Sequence, residues 1–171
     1  KGRIIELLFD EYGLEIKKIA YLYLRDHKLS EDILQEVFIA CFNNLDTFRQ
    51  DSGYKTWLIR ITINKCKDAL KSWSFRNLIY KGKIDYKPIE RNTPETAIIS
   101  KLSDLYLAEQ VLILPIKFRE VIILYYYEEL SIEEISQVLN INVNTVKSRL
   151  HRARAKLKDN LKGSESEWKI D

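Results

Sequence analysis

The chain has 171 residues, 46% of them hydrophobic and 31% charged, with a formal net charge of +3. That composition builds globular cores and excludes a disordered polyelectrolyte, while the small net charge means that affinity for a polyanion must come from where the basic residues sit. Two cysteines, Cys41 and Cys66, and two histidines, His27 and His151, stand apart and offer neither a disulfide framework nor a zinc site.

No Ser-His or Cys-His constellation and no glycine-rich phosphate loop is present, so neither an enzyme nor a cofactor or small-molecule substrate is expected. No apolar run is long enough to span a membrane and no signal-peptide pattern opens the chain, which reads as cytoplasmic. The chain opens at Lys1 and contains no methionine, so it reads as trimmed.

Glycine and proline are scarce, five and three in all, and apolar residues recur at helical spacing, which predicts an all-α protein of two small helical domains. Ile4, Leu7, Leu8, Ile16, Ile19, Ala20, Tyr23 and Leu24 outline an opening helical stretch with a break expected near Gly13. Ser30 is placed to cap the next helix, which carries Ile33, Leu34, Val37, Cys41 and Leu45 inward and Glu31, Asp32, Gln35, Glu36 and Asn43 outward. After the loop RQDSG, the segment YKTWLIRITINKCKDALKSW predicts a third helix with Leu58, Ile61, Cys66 and Leu70 on its apolar side.

From about Phe75 to Pro94 the helical period lapses, and NLIYKGKIDYKPIERNTPE reads as a flexible linker. The expected division is 1–74 for the first domain, 75–94 for the linker, 95–162 for the second domain and 163–171 for a polar, frayed tail. Domains of this size bury only about 60% of their unfolded surface and often gain stability from a partner.

Helical periodicity resumes at about Thr96 and is interrupted at Pro115, at Glu129-Leu130 and from Asn140 to Asn142. Ser131-Ile132-Glu133-Glu134 fits a capping box: the serine hydroxyl accepts the Glu134 amide and the Glu134 carboxylate reaches back. The helix that starts there turns Ile132, Ile135, Val138 and Leu139 inward. Asn140 falls where a left-handed residue ends a helix, and Asn142 can cap the next one, so a helix-turn-helix is expected.

On the second helix of that motif, Val143, Val146, Leu150, Ala153 and Leu157 step by three and four and define a buried stripe. Asn144, Lys147, Ser148, His151, Arg152 and Ala155 lie opposite. Between Asn140 and Lys162 there are seven basic residues against Asp159 alone, and from Tyr54 to Lys87 nine against Asp68 and Asp85. In a DNA reader the N-terminal part of such a helix enters the major groove, so Asn144, Lys147, Ser148 and His151 would reach base edges, and Arg152 bases or phosphates. Arg154, Lys156 and Lys158 would then neutralise phosphates. The plainer alternative is an amphipathic surface helix whose basic face is simply solvated.

LPIKFREVIILYYYEELSIEEISQVLNINVNTVKSRLHRARAKLK closely resembles region 4 of bacterial sigma factors of the extracytoplasmic-function group, and LSEDILQEVFIACFNNLDTFRQDSGYKTWLIRITINKCKDAL resembles region 2 of the same group. The resemblance implies an alternative sigma factor that directs promoter-specific initiation. Its partners would be the RNA polymerase core, through the β′ clamp coiled coil and the β flap, and promoter DNA. An anti-sigma factor, often membrane-anchored in this family, would hold it in check. Clamp docking falls to the polar face of the second helix, here Asp32, Gln35, Glu36 and Asn43.

The resemblance further implies that region 2 melts the −10 element and captures a flipped base, with Phe48 and Asn64 at matching positions. Lys55, Arg60, Lys65 and Lys67 suit the strand backbone, and Tyr54 suits stacking. Trp57 is read as a core residue first, with stacking as its alternative.

Elements about 25 base pairs apart lie roughly 85 Å apart on B-DNA, and a linker of about 20 residues spans at most roughly 70 Å, so the lobes themselves must bridge part of the distance. Two competing readings remain at this point: a conventional regulator that binds DNA through the helix-turn-helix alone, and an interaction module that binds RNA or protein through its basic faces.

Overall fold

The computed structural model describes residues 1–48, 52–72 and 105–161, and all the regular structure among them is helical. The chain divides into two compact units, Lys1–Tyr86 and Lys87–Asp171. The expected linker at 75–94 and tail at 163–171 lie outside the described residues, as does the expected resumption of helix at about Thr96.

The first unit packs three helices on one another: α1 (Gly2–Leu24), α2 (His27–Asn44) and α3 (Tyr54–Lys71), with a short 3₁₀ turn (Leu45–Thr47) ending α2. α1 runs unbroken through Gly13, which is buried with the Phe9 ring 3.6 Å from where a β-carbon would stand. A single glycine costs a helix only about 1 kcal/mol, and packing on α2 and α3 outweighs that. The expected break is therefore absent. α1 instead ends at Arg25, which takes the left-handed conformation (φ 56°) and donates its N–H to the Tyr21 carbonyl.

Asp26, not Ser30, caps α2: its carboxylate accepts the Leu29 amide at 2.9 Å. Ser30 lies one turn inside, buried, with its hydroxyl donating to the Asp26 carbonyl at 2.5 Å. The helix therefore begins four residues earlier than expected, and Ser30 serves inside it rather than at its end.

On α2 the core side is Ile33, Val37, Phe38 and Cys41, with Leu34 and Leu45 half-buried. On α3 it is Thr56, Leu58, Ile59, Thr62, Ile63 and Cys66. Ile61 and Leu70, expected inward, are only half-buried. The polar Thr62 is accommodated because its hydroxyl donates to the Leu58 carbonyl at 2.8 Å. Burial pushes the thiols up, Cys41 to about 11 and Cys66 to about 12.

The second unit contains α4 (Leu105–Ile113), α5 (Ile116–Ile122), a π-helical turn (Ile123–Tyr127), α6 (Ile132–Leu139) and α7 (Val143–Leu161). Pro115 opens α5, as its missing N–H allows at a helix start. Arg119 braces the α4–α5 corner by donating to the Leu112 and Leu114 carbonyls at 2.6 and 3.1 Å. In the π turn the Glu128 amide reaches the Ile123 carbonyl at 3.0 Å. Glu129 then takes φ 56° and releases the chain into α6.

Candidate nucleic-acid interface

The helix-turn-helix forms as its sequence chemistry dictates. Ser131 Oγ accepts the Glu134 amide at 3.2 Å while the Glu134 carboxylate accepts the Ser131 amide at 2.8 Å, closing the capping box. Asn140 ends α6 in the left-handed region (φ 52°, ψ 51°), and the Ser136 hydroxyl, donating at 2.6 Å to the Ile141 carbonyl, ties the turn back. Asn142 Oδ1 accepts the Asn144 amide at 2.7 Å and starts α7. Val146, Leu150, Ala153, Leu157 and Leu161 are buried, and Val143 is half-buried at the rim.

Asn144, Lys147, Ser148, His151 and Arg152 are all exposed on the opposite side. They share one face over about two turns of helix, a groove-sized polar surface.

Three of the basic residues on α7 touch the lobe itself. Arg149 Nη1 meets Glu120 Oε1 of α5 at 2.8 Å, and the Glu120 side chain is only 3% exposed. Arg154 donates through Nε to the Tyr126 hydroxyl at 2.6 Å, with its guanidinium carbon 5.6 and 5.5 Å from the ring centres of Tyr125 and Tyr126. The Lys156 ammonium lies 5.8 Å from the centre of the Phe118 ring. Arg154 and Lys156, expected to meet phosphates, thus also touch the lobe in the free chain: α7 packs on α5, and side chains at the edges of its buried stripe meet groups there.

In the first unit, Phe48, Tyr54 and Trp57 form one aromatic group. Phe48 stacks on Tyr54 with ring centres 4.7 Å apart and leans on Trp57 at 4.6 Å. Trp57 is half-buried, so neither a core position nor a free platform describes it, and the sequence reading left it out of the site. The signal for it was its i, i+3 spacing from Tyr54. Asn64 is exposed and lies on the same side of α3 by helical register.

The basic residues around this group diverge. Arg60 is half-buried, and its Nε has no hydrogen-bond partner among the described residues. Lys65 pairs with Glu36 of α2 at 3.1 Å, whereas Lys55 turns to Glu15 of α1 at 2.8 Å, away from the Tyr54–Asn64 side.

On α2, Asp32, Gln35, Glu36 and Asn43 are exposed on a single face that also carries Ile39, 61% exposed, and Phe42, 45% exposed. Those two apolar residues were not singled out from the sequence. Exposed apolar residues of this kind are recognisable only once the core side of the helix is fixed.

A three-helix lobe with an aromatic group and a helix-turn-helix lobe with a polar groove face together define a multi-domain DNA-binding protein. Residues 8–75 match the family model for sigma-70 region 2, and residues 104–157 match that for sigma-70, region 4. The chain is 34% identical over 163 residues to the ECF RNA polymerase sigma factor SigW of Bacillus subtilis, covering 91% of this chain and 87% of that protein. It is 32% identical over 162 residues to the RNA polymerase sigma-H factor of Pseudomonas aeruginosa, covering 89% and 83%.

Among solved structures, CnrH in complex with the cytosolic domain of CnrY aligns with a TM-score of 0.68 at 27% identity, covering 96% of this chain and 92% of that one. The sigma factor RpoE in complex with the anti-sigma factor NepR from Bartonella quintana aligns at 0.71 and 21% identity, covering 92% and 96%, a likeness of fold. The chain belongs to the sigma-70 family of RNA polymerase sigma factors, in its extracytoplasmic-function group.

Proposed function

We propose that this chain directs RNA polymerase to a set of promoters by three separate surfaces, none of which performs catalysis. α7 reads the −35 element through Asn144, Lys147, Ser148, His151 and Arg152. The observation that carries this is the coincidence, on one helix, of a capped and fixed N-terminus, a buried back stripe and five exposed polar side chains opposite.

The Phe48–Tyr54–Trp57 group and Asn64 receive an unstacked base of the −10 element. Arg60 holds the strand backbone, and Lys65 and Lys55 join it on leaving Glu36 and Glu15. The face of α2 bearing Asp32, Gln35, Glu36 and Asn43 docks on the polymerase clamp, with Ile39 and Phe42 as its apolar centre and the carboxylates facing basic partners. Residues 1–74 act as region 2, 75–94 as linker and 95–162 as region 4, which also rests on the β flap, with 163–171 as a polar tail.

Among the described residues no helix is long and apolar enough to cross a membrane. The protein acts in the cytoplasm, where the polymerase is, and is withheld from it by an anti-sigma factor anchored at the membrane. The complexes of RpoE with the anti-sigma factor NepR and of CnrH with the cytosolic domain of CnrY support a protein partner of this kind, while its anchoring at the membrane rests on the family resemblance.

Purified core polymerase and single-residue variants separate the surfaces. Ile39→Glu should abolish co-migration with core on gel filtration. Phe48→Ala should keep co-migration but weaken holoenzyme binding to a labelled −10 non-template strand, each lost stacking contact costing about 1–3 kcal/mol. Normal core binding by Ile39→Glu would remove the α2 assignment.

A further inference from the structure

We infer that the Glu120–Arg149 ion pair is a positioning device that sets how sharply α7 discriminates −35 sequences. The inference rests on the reading of α7 as the −35 helix. Glu120 is 3% exposed and sits on α5, behind the recognition helix, with Arg149 Nη1 at 2.8 Å. Burying a carboxylate is costly, and a buried ion pair is generally no better for stability than apolar side chains of the same volume. What it supplies is direction. The stripe of Val146, Leu150, Ala153 and Leu157 holds α7 to the lobe through apolar burial, an attraction with no preferred direction of its own. A guanidinium–carboxylate hydrogen bond has one.

Its place on the helix is what matters for reading. Arg149 follows Ser148 directly and precedes Arg152 by three residues, so fixing its head group fixes the rotation of the segment that faces the groove. Base discrimination needs that segment held within about 0.5 Å. By helical register Arg154 leaves the opposite edge of the buried stripe, where Tyr126 takes its Nε at 2.6 Å. The helix is thus tied along both edges, and Arg149 lies within the span of the base-reading residues, 144–152, whereas Arg154 lies beyond it.

The test uses the full chain with core RNA polymerase and a promoter library randomised over the −35 element. Run-off transcripts are sequenced to give the ratio of the best −35 element to its single-base variants, and the thermal midpoint of each protein is recorded. Glu120→Leu combined with Arg149→Met, which replaces the pair by apolar volume, should keep or raise the midpoint and still support transcription. The selectivity ratio should fall about tenfold, within the discrimination carried by one base contact. A double variant that discriminates as well as the unmodified protein overturns the inference.

If the double variant fails to fold, Arg149→Lys decides. It keeps the charge opposite Glu120 but offers a point donor without the planar fork, so selectivity should be intermediate, and full selectivity there would mean that the pair serves folding alone. Absence of any −35 preference in the unmodified protein would instead overturn the reading of α7 itself, and the inference with it.

Discussion

Arg149 and Arg152 stand less than one turn apart on α7, and their side chains do opposite things. Arg149 is spent on Glu120, while Arg152 is exposed and directed away from the lobe. Arg152→Ala should therefore leave the thermal midpoint almost unchanged, within about 0.5 kcal/mol of stability. It should weaken −35 binding by about 1–3 kcal/mol and relax preference at one position. Equal loss on every −35 variant, measured by competition binding, would make it a phosphate contact.

The cysteines give a second residue-scale prediction. Burial raises Cys66 from its ordinary 9.0 to about 12 and Cys41 to about 11, so both stay protonated in the folded lobe while the unfolded chain ionises first. The stability this contributes is present below pH 9 and is lost as pH rises from 9 toward 12. Thermal midpoints across that window should fall more steeply for the unmodified protein than for Cys66→Ala, and parallel slopes would contradict the burial argument.

The exposed polar residues of α7 were legible in the sequence because a five-residue apolar stripe at helical spacing fixes the opposite face. The roles of Arg149 and Arg154 were not legible. Glu120 lies 29 residues before Arg149 and Tyr126 lies 28 before Arg154, and periodicity within a helix does not say which distant side chain meets its edge.

At the scale of elements, the turn between α6 and α7 is local chemistry throughout, and so it was readable. Ser131, Glu134, Asn140 and Asn142 each satisfy a helix end through neighbours within five residues. Ser131→Ala should cost about 1 kcal/mol. Asn140→Val should cost more than Asn140→Gly, since a β-branched residue is strained at φ 52°.

α1 taught the reverse lesson. Gly13 looked like a break because intrinsic propensity was the only information available, and packing on two other helices overrode it. Gly13→Ala should stabilise the first lobe by about 0.5–1 kcal/mol, because the added methyl meets the Phe9 ring at ordinary contact distance, 3.6 Å. Destabilisation in a urea titration would mean that the Phe9 ring has no room to accept it.

At the scale of the molecule, the two-lobe plan was visible in the sequence as two helical periods separated by a stretch without one. The family was carried by two motif blocks in order, not by the helix-turn-helix, which many regulators share. What composition concealed was the function of charge. A net of +3 hides an exposed basic face in one lobe and, in the other, lysines paired with carboxylates, Lys65 with Glu36 and Lys55 with Glu15. Free protein should accordingly bind duplex promoter DNA weakly, and only assembly with polymerase should bring the surfaces to bear together.

Run-off transcription with purified core polymerase, with and without this protein, on a library of promoter fragments decides whether the two lobes act together as proposed. Transcripts should come from a defined subset of promoters, appear only when the protein is added, and share both a −35 and a −10 element. Tight, sequence-specific binding of the protein alone to duplex operators, with no transcripts added, would contradict that joint action and mark the chain as a conventional regulator.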